Sequence, residues 1–190
     1  MASINGVEVK KLKAFKDHEG ETIYQGDVYL NGTKLGFWSQ DAWYGDDTYR
    51  FDVKLLDEAV KLHKESPFVE DKYKNLVTNP DFLMHDIIRL SLAEKDYKKG
   101  VKQGYDTFVC FTYGGYSCGC YVNADGRSNE RIEKDLKTTT FYKKLEQQFL
   151  KKGAITTTVY RSLDDFIVDT SRTQNKGKDD VQEEREETRE

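Results

Sequence analysis

Three observations predict an α+β fold for this chain of 190 residues. Asn31-Gly32 and Gly114-Gly115 each lie between strand-like runs, and such pairs tolerate the positive φ values of a primed two-residue hairpin turn. Asn79-Pro80 opens a run whose apolar residues recur at helical spacing, with asparagine as N-cap and proline at the first helical position. Antiparallel strands interleaved with amphipathic helices give a mixed architecture in which helices cover sheet faces.

The elements follow in order. From Ile4 to about Tyr49 the text is strand-like. Asn31-Gly32 sets Val28 opposite Leu35 and puts Leu30, Val28, Leu35 and Phe37 on one face; with Val7 to Phe15 this makes an N-terminal three-stranded antiparallel meander. Asp52 caps a helix that runs to about Glu65, with Leu55, Leu56, Ala59, Leu62 and His63 at helical spacing, and Ser66-Pro67 restarts the chain. In the helix from Pro80, Leu83, Ile87, Leu90 and Glu94 line up beside Met84, Ile88 and Ser91.

The Gly114-Gly115 hairpin joins Thr107 to Tyr113 with Tyr116 to Val122. Its register sets Val109 opposite Cys120, Phe111 opposite Cys118 and Cys110 opposite Gly119, so Cys118 and Cys120 share one face and Cys110 lies on the other. Asp125 or Ser128 then opens a long helix carrying Ile132, Leu136, Leu145 and Phe149 to a stop at Gly153, its middle weakened by the β-branched run Thr138 to Thr140. Ala154 to Tyr160 reads as a closing strand that pairs with the hairpin, and Ser162 to Asp165 as a capping turn leading into Phe166, Ile167 and Val168. Residues 1–169 are expected as one α+β domain, any internal boundary lying near 50–66. Residues 170–190 keep only Val181 as an apolar residue and form a charged tail that cannot offset its own ordering entropy.

Composition narrows the function classes. A 37% apolar and 34% charged chain without a long apolar run suits a soluble protein with no membrane partner, and Met1 to Gly6 has neither the basic nor the apolar part of a secretory signal. The expected location is therefore cytoplasmic, where three unevenly spaced cysteines are expected as thiols. A formal charge of −4 argues against a protein that coats nucleic acid.

The candidate chemistry is sparse. Cys118 and Cys120 stand two apart on a strand with Cys110 across the sheet, and His18, His63 and His85 form no paired motif, so no metal site is expected and the cysteines read as core filler. Cys110 is the one candidate nucleophile, requiring a base such as His18 or His85 to reach it. The stretch Ser39 to Asp47 combines aromatics with carboxylates: Trp38, Trp43 and Tyr44 are candidate partner anchors or a lid over the meander, and Asp46 and Asp47 a candidate cation pair or a solvated turn. Two lysine clusters, Lys10, Lys11 and Lys13 with Lys16, and Lys98 and Lys99 with Lys95 and Lys102, are candidate phosphate contacts, although the helix dipole alone favours lysines at the second position. No cofactor motif is present; Gly114-Gly115 is followed by neither the lysine nor the helix start of a phosphate loop.

The opening Met1 to Lys13, with Gln25 to Leu30 and Lys34 to Trp38, resembles small accessory proteins carried by bacterial phages and conjugative elements. The likeness covers about the first fifty residues. It implies a context in which such proteins inhibit host defence, anti-CRISPR proteins among them, or act as small regulators inside the bacterial host. The leading expectation is a non-enzymatic interaction protein that binds a host protein or protein–nucleic acid complex. The alternatives are a small cysteine-dependent enzyme using Cys110 and a nucleic-acid-binding regulator using the lysines.

Overall fold

The computed structural model describes residues 1–41, 45–66, 68–113, 116–149 and 155–171. The fold is α+β, as the patterning predicts, and the chain divides into two compact units: residues 1–91 with the segment from Ile167 onward, and residues 92–166. The division falls inside a helix, at Ser91 and Leu92, rather than near 50–66.

The first unit is built on a sheet. Its strands are β1 (Ser3–Ile4), β2 (Val7–Lys16), β3 (Thr22–Leu30), β4 (Thr33–Ser39), β5 (Thr48–Tyr49) and, from the far end of the chain, Ile167–Val168; the spatial order is β5-β4-β3-β2-β1 followed by that C-terminal strand. The expected meander is present as β2, β3 and β4, all antiparallel. One detail of its register differs. Leu30 does face Thr33 across the Asn31-Gly32 turn, but the register shifts between Val28 and Tyr29, so that Val28 pairs with Gly36 instead of Leu35. A one-residue slip flips every later side chain. Trp38, opposite Gly26, therefore joins the face of Val28, and Phe37, opposite Asp27, moves to the other. Gly36 accommodates the change, since a Cβ there would lie 2.5 Å from the Arg50 carbonyl oxygen.

Asp52 caps the next element as expected, accepting from the Lys54 N–H, but the chain first makes a 3-10 turn over Val53–Leu56 before α1 (Asp57–His63). A further 3-10 segment, Asp71–Leu76, occupies the stretch for which the sequence offers no pattern. Then α2 (Pro80–Lys102) begins with the Asn79 side chain accepting from Asp81 N–H, and buries Leu83, Met84, Ile87, Ile88 and Leu90. The C-terminal return is fastened by Asn5. Its Oδ1 accepts from the backbone N–H of Thr170 at 3.0 Å, while the Thr170 hydroxyl lies 2.8 Å from that oxygen and 2.9 Å from Leu62 O. Thr170 is buried, so the solvated tail does not start there; residues 172–190 lie outside the described ones.

The second unit holds the last half of α2, β6 (Thr107–Tyr113), β7 (Tyr116–Val122), α3 (Asn129–Lys137), α4 (Thr140–Phe149) and β8 (Thr156–Tyr160), in a sheet ordered β7-β6-β8. The strand Ile167–Val168, called β9, then pairs parallel with β1. The β6–β7 pairs are those the Gly114-Gly115 turn predicts, and β8 closes on β6 antiparallel. In place of one long helix there are two, because the threonine run breaks it. Ser128 caps α3, and the hydroxyl of Thr139 accepts the Tyr142 N–H in the first turn of α4. One sheet face packs Val109 and Phe111 with Ile132, Tyr142, Leu145 and Phe149 of these helices, and Cys118 and Cys120 join that core at half burial.

Candidate functional site

The loop leaving β4 is organised by two aspartates. Trp38, a candidate partner anchor or lid over the meander, is fully buried, because the register shift carries it into the core. Its indole N–H donates to Asp47 Oδ2 at 2.8 Å. The Asp41 N–H donates to Asp47 Oδ1 at 3.0 Å, and the Gly45 N–H to Asp41 Oδ2 at 2.8 Å. These bonds tie Asp41, Gly45 and Asp47 together; Ala42, Trp43 and Tyr44, two of them candidate anchors, lie outside the described residues. Asp46 is exposed.

Two groups from α2 stand beside this loop. Tyr49 of β5 donates its hydroxyl to Asp81 Oδ1 at 2.6 Å, and Gln40 Nε2 lies 3.3 Å from His85 Nε2. Burial pushes the Asp47 carboxyl above its ordinary pKa, the charge of Asp81 adds to that, and the hydrogen bonds from Asp41 and Trp38 together with His85 work against it. Burial, then the bond to Asp81, hold the Tyr49 hydroxyl far above its ordinary value, so it stays a donor. Each described carboxylate in the loop except Asp46 is thus engaged in holding the loop. Asp46 and Asp47 are not a cation pair: Asp47 turns inward to Trp38 and Asp46 outward. Among the described residues no cluster of three or more His, Cys, Asp or Glu is arranged to hold a metal ion.

A second cluster escaped sequence reasoning. Ser66 Oγ lies 3.0 Å from His63 Nδ1, His63 Nε2 lies 3.0 Å from Asp86 Oδ2, and Arg89 donates to Asp86 Oδ1 at 3.2 Å. The groups are those of a nucleophilic triad. Their placement is that of a core brace: His63 is 0% and Ser66 3% exposed, and no substrate reaches the hydroxyl without opening the fold. The network ties α1 to α2 while satisfying three polar side chains that burial would otherwise leave unpaired. His63 and Ser66, at i and i+3, could have signalled it; Asp86, twenty residues on, could not.

The cysteines divide as the hairpin register requires. No disulfide joins any of the three. Burial, reinforced by the neighbouring Cys118, raises the Cys120 thiol pKa, which disfavours its thiolate. Cys110 is half-buried on the opposite face, between Gly119 and Thr158, in a unit that contains no histidine: His18, His63 and His85 all belong to the other.

The lysines also divide. In the first cluster Lys10 pairs with Glu8 at 3.1 Å and sits 4.2 Å from the Tyr29 ring centre, and Lys11 and Lys34 share Asp27 at 3.3 and 2.9 Å. The Lys34 bond is the main cause of a lowered Asp27 pKa. Lys13 is exposed. In the second, Lys98 pairs with Glu94 at 2.6 Å, while Lys95, Lys99 and Lys102 are exposed. Among the described residues no helix is long and apolar enough to cross a membrane. No family model, curated protein or solved structure matches the chain.

Proposed function

We propose that this chain is a non-enzymatic interaction protein of a phage or other mobile element, which binds a macromolecule of its bacterial host and inhibits or modulates it. The target class implied by the resemblance is a defence complex of CRISPR type, protein or protein–nucleic acid. The observation that carries the binding role is the set of bonds on either side of positions 42–44: Asp47 accepts from Asp41 and Trp38, and Asp41 from Gly45. Between these bonded residues the sequence places Trp43 and Tyr44, the residue types that dominate binding hot spots. Exposed Asp46 supplies charge at the rim, where it steers encounter more than it strengthens the complex. The mobile-element context rests on the likeness of the first fifty residues alone.

The test is affinity capture from bacterial host lysate with the tagged full chain and with a Trp43→Ala, Tyr44→Ala double variant of equal thermal stability. A stoichiometric partner held by the wild type and lost by the variant is the expected result. No stoichiometric partner, or one that both proteins hold alike, would sink the proposal.

A further inference from the structure

We infer that the open face of the first unit's sheet is a contact surface for the phosphate backbone of a nucleic-acid duplex, formed by Lys10, Lys11, Lys13, Lys34 and Arg50. It uses none of the residues of the loop at 41–47 and is tested apart from them.

Two bulges gather these cations on one face. On a regular strand, residues three apart point to opposite sides of the sheet. Here Lys10 pairs with Asp27 and Lys13 with Gln25, so β2 has one residue more than β3 over that stretch and both lysines come to the face of Asp27 and Gln25. Within the bulge Lys11 sits at φ +53°, a conformation usually filled by glycine, and its Nζ reaches the same face, 3.3 Å from Asp27 Oδ2. Gly26 opposite admits the bulged backbone, since a Cβ there would lie 2.9 Å from Lys10 O. The register shift in β4 acts alike on the other side of β3. Lys34 pairs with Tyr29 and Phe37 with Asp27, so these two residues, again three apart, share that face as well.

Side-chain contacts join the cations into one surface. Lys34 Nζ lies 2.9 Å from Asp27 Oδ1, and so shares that carboxylate with Lys11. Lys10 Nζ lies 3.1 Å from Glu8 and 4.2 Å from the Tyr29 ring centre. The Arg50 N–H donates to Phe37 O at 2.8 Å, and its guanidinium stands 5.3 Å from the Phe37 ring centre. Lys13 and Arg50 make no ion pair among the described residues, so five cations on this face meet only the carboxylates of Glu8 and Asp27. The alternate residues Val7, Val9, Val28 and Trp38 are buried, whereas Lys11, Lys13, Lys34 and Arg50 are exposed.

This local excess of positive charge stands on a chain of formal charge −4. At about 0.1 M salt the screening length is about 10 Å, so an anion seated on the face is held by these cations and feels little of more distant carboxylates. The Tyr29 and Phe37 rings each hold a cation against them, so the surface offers charge in place of open rings and suits phosphates rather than unstacked bases. A duplex carries one phosphate charge per about 1.7 Å of axis, twice the density of a single strand.

The test is fluorescence anisotropy with the full chain and a labelled duplex of about twenty base pairs, over roughly 50–200 mM salt. Saturable binding is expected, log K falling against log salt with a slope between about −3 and −4.5. The double change Lys11→Gln, Lys13→Gln should make that slope shallower by about 1.8, while Lys95→Gln with Lys99→Gln, at exposed lysines of α2, should leave it unchanged. Lys11→Gly, which suits the left-handed φ, should make it shallower by about 0.9 without lowering the thermal midpoint. No saturable binding at about 50 mM salt, a single strand bound more tightly than the duplex, or equal displacement of the duplex by poly-L-glutamate of matched charge would each overturn the proposal. So would a slope that the α2 lysines change as much as Lys11 and Lys13 do. If the double variant at Lys11 and Lys13 loses stability, Lys11→Gly decides, and an unchanged slope there overturns the proposal.

Discussion

The indole N–H of Trp38 donates to Oδ2 of Asp47 across 2.8 Å, joining a fully buried ring to a surface loop. Because burial raises the Asp47 pKa above the ordinary 3.8, the folded protein binds more protons than the unfolded chain in the window just above that value. Stability contributed through Asp47 therefore falls as pH rises through the window. Asp27 and Asp106, whose pKa values are lowered by hydrogen bonds from Lys34 and from Thr107, act in the opposite sense: their contribution is present above the ordinary value and lost as pH falls below it.

Asp47→Asn should remove the first dependence and leave the second. Urea midpoints of the two proteins, taken from about pH 7 to pH 4, are expected to diverge in favour of the wild type as pH falls. Convergence would show that the two N–H donors outweigh burial at this carboxylate.

His63→Ala should destabilise by about 2–5 kcal/mol, since it empties a fully buried site and takes the imidazole from Asp86, which keeps only Arg89 as a described side-chain partner. Ser66→Ala removes one neutral hydrogen bond and should cost about 1 kcal/mol. A fluorophosphonate probe should leave Ser66 unlabelled in the folded protein; stoichiometric labelling there would contradict the bracing role.

Truncation should separate two sides of residue 171. Ending the chain after Ser171 keeps every bond between Thr170, Asn5 and Leu62 and should leave the thermal midpoint within a degree or two. Ending it after Asp169 removes them and should cost about 1–3 kcal/mol, with Thr170→Val, which deletes only the hydroxyl, in between. Differential scanning calorimetry of the three proteins checks the order.

Gly119→Ala should cost about 2–3 kcal/mol, because its Cβ would fall 2.3 Å from Phe108 Cζ and 2.8 Å from Val109 O. Cys120→Ala, at a half-buried site, should cost about 1 kcal/mol, and neither chelator nor added zinc should move the midpoint of the wild type. Zinc near one equivalent that leaves only with the fold would contradict this assignment of the cysteines.

Local signals were the legible ones. Asn79-Pro80 and Ser128 mark their helix starts because a cap is a contact within three residues, and the two-residue gap between the strand-like runs, itself outside the described residues, foretold the pairing of β6 with β7 because turn length determines register. What escaped was set by distant groups. The shift that buries Trp38 depends on the Arg50 carbonyl approaching Gly36, fourteen residues away in sequence, and the partners of His63 and Thr170 lie on elements that only the fold brings near. The threonine run was visible as a weak point of a helix, but its strength as a break comes from the Thr139 hydroxyl capping α4.

The pairing of β1 with β9 puts a delay into the birth of the protein. Ser3 faces Ile167 and Ile4 faces Val168, so the two strands of this edge are synthesised 164 residues apart. At roughly 5–20 residues per second, Ser3 waits on the order of ten seconds or more for its partner, while every strand and helix of the second unit has already left the ribosome. During that interval the edge of β1 that β9 will cover is an unpaired template on the nascent chain, and how long it stays so is set by translation speed.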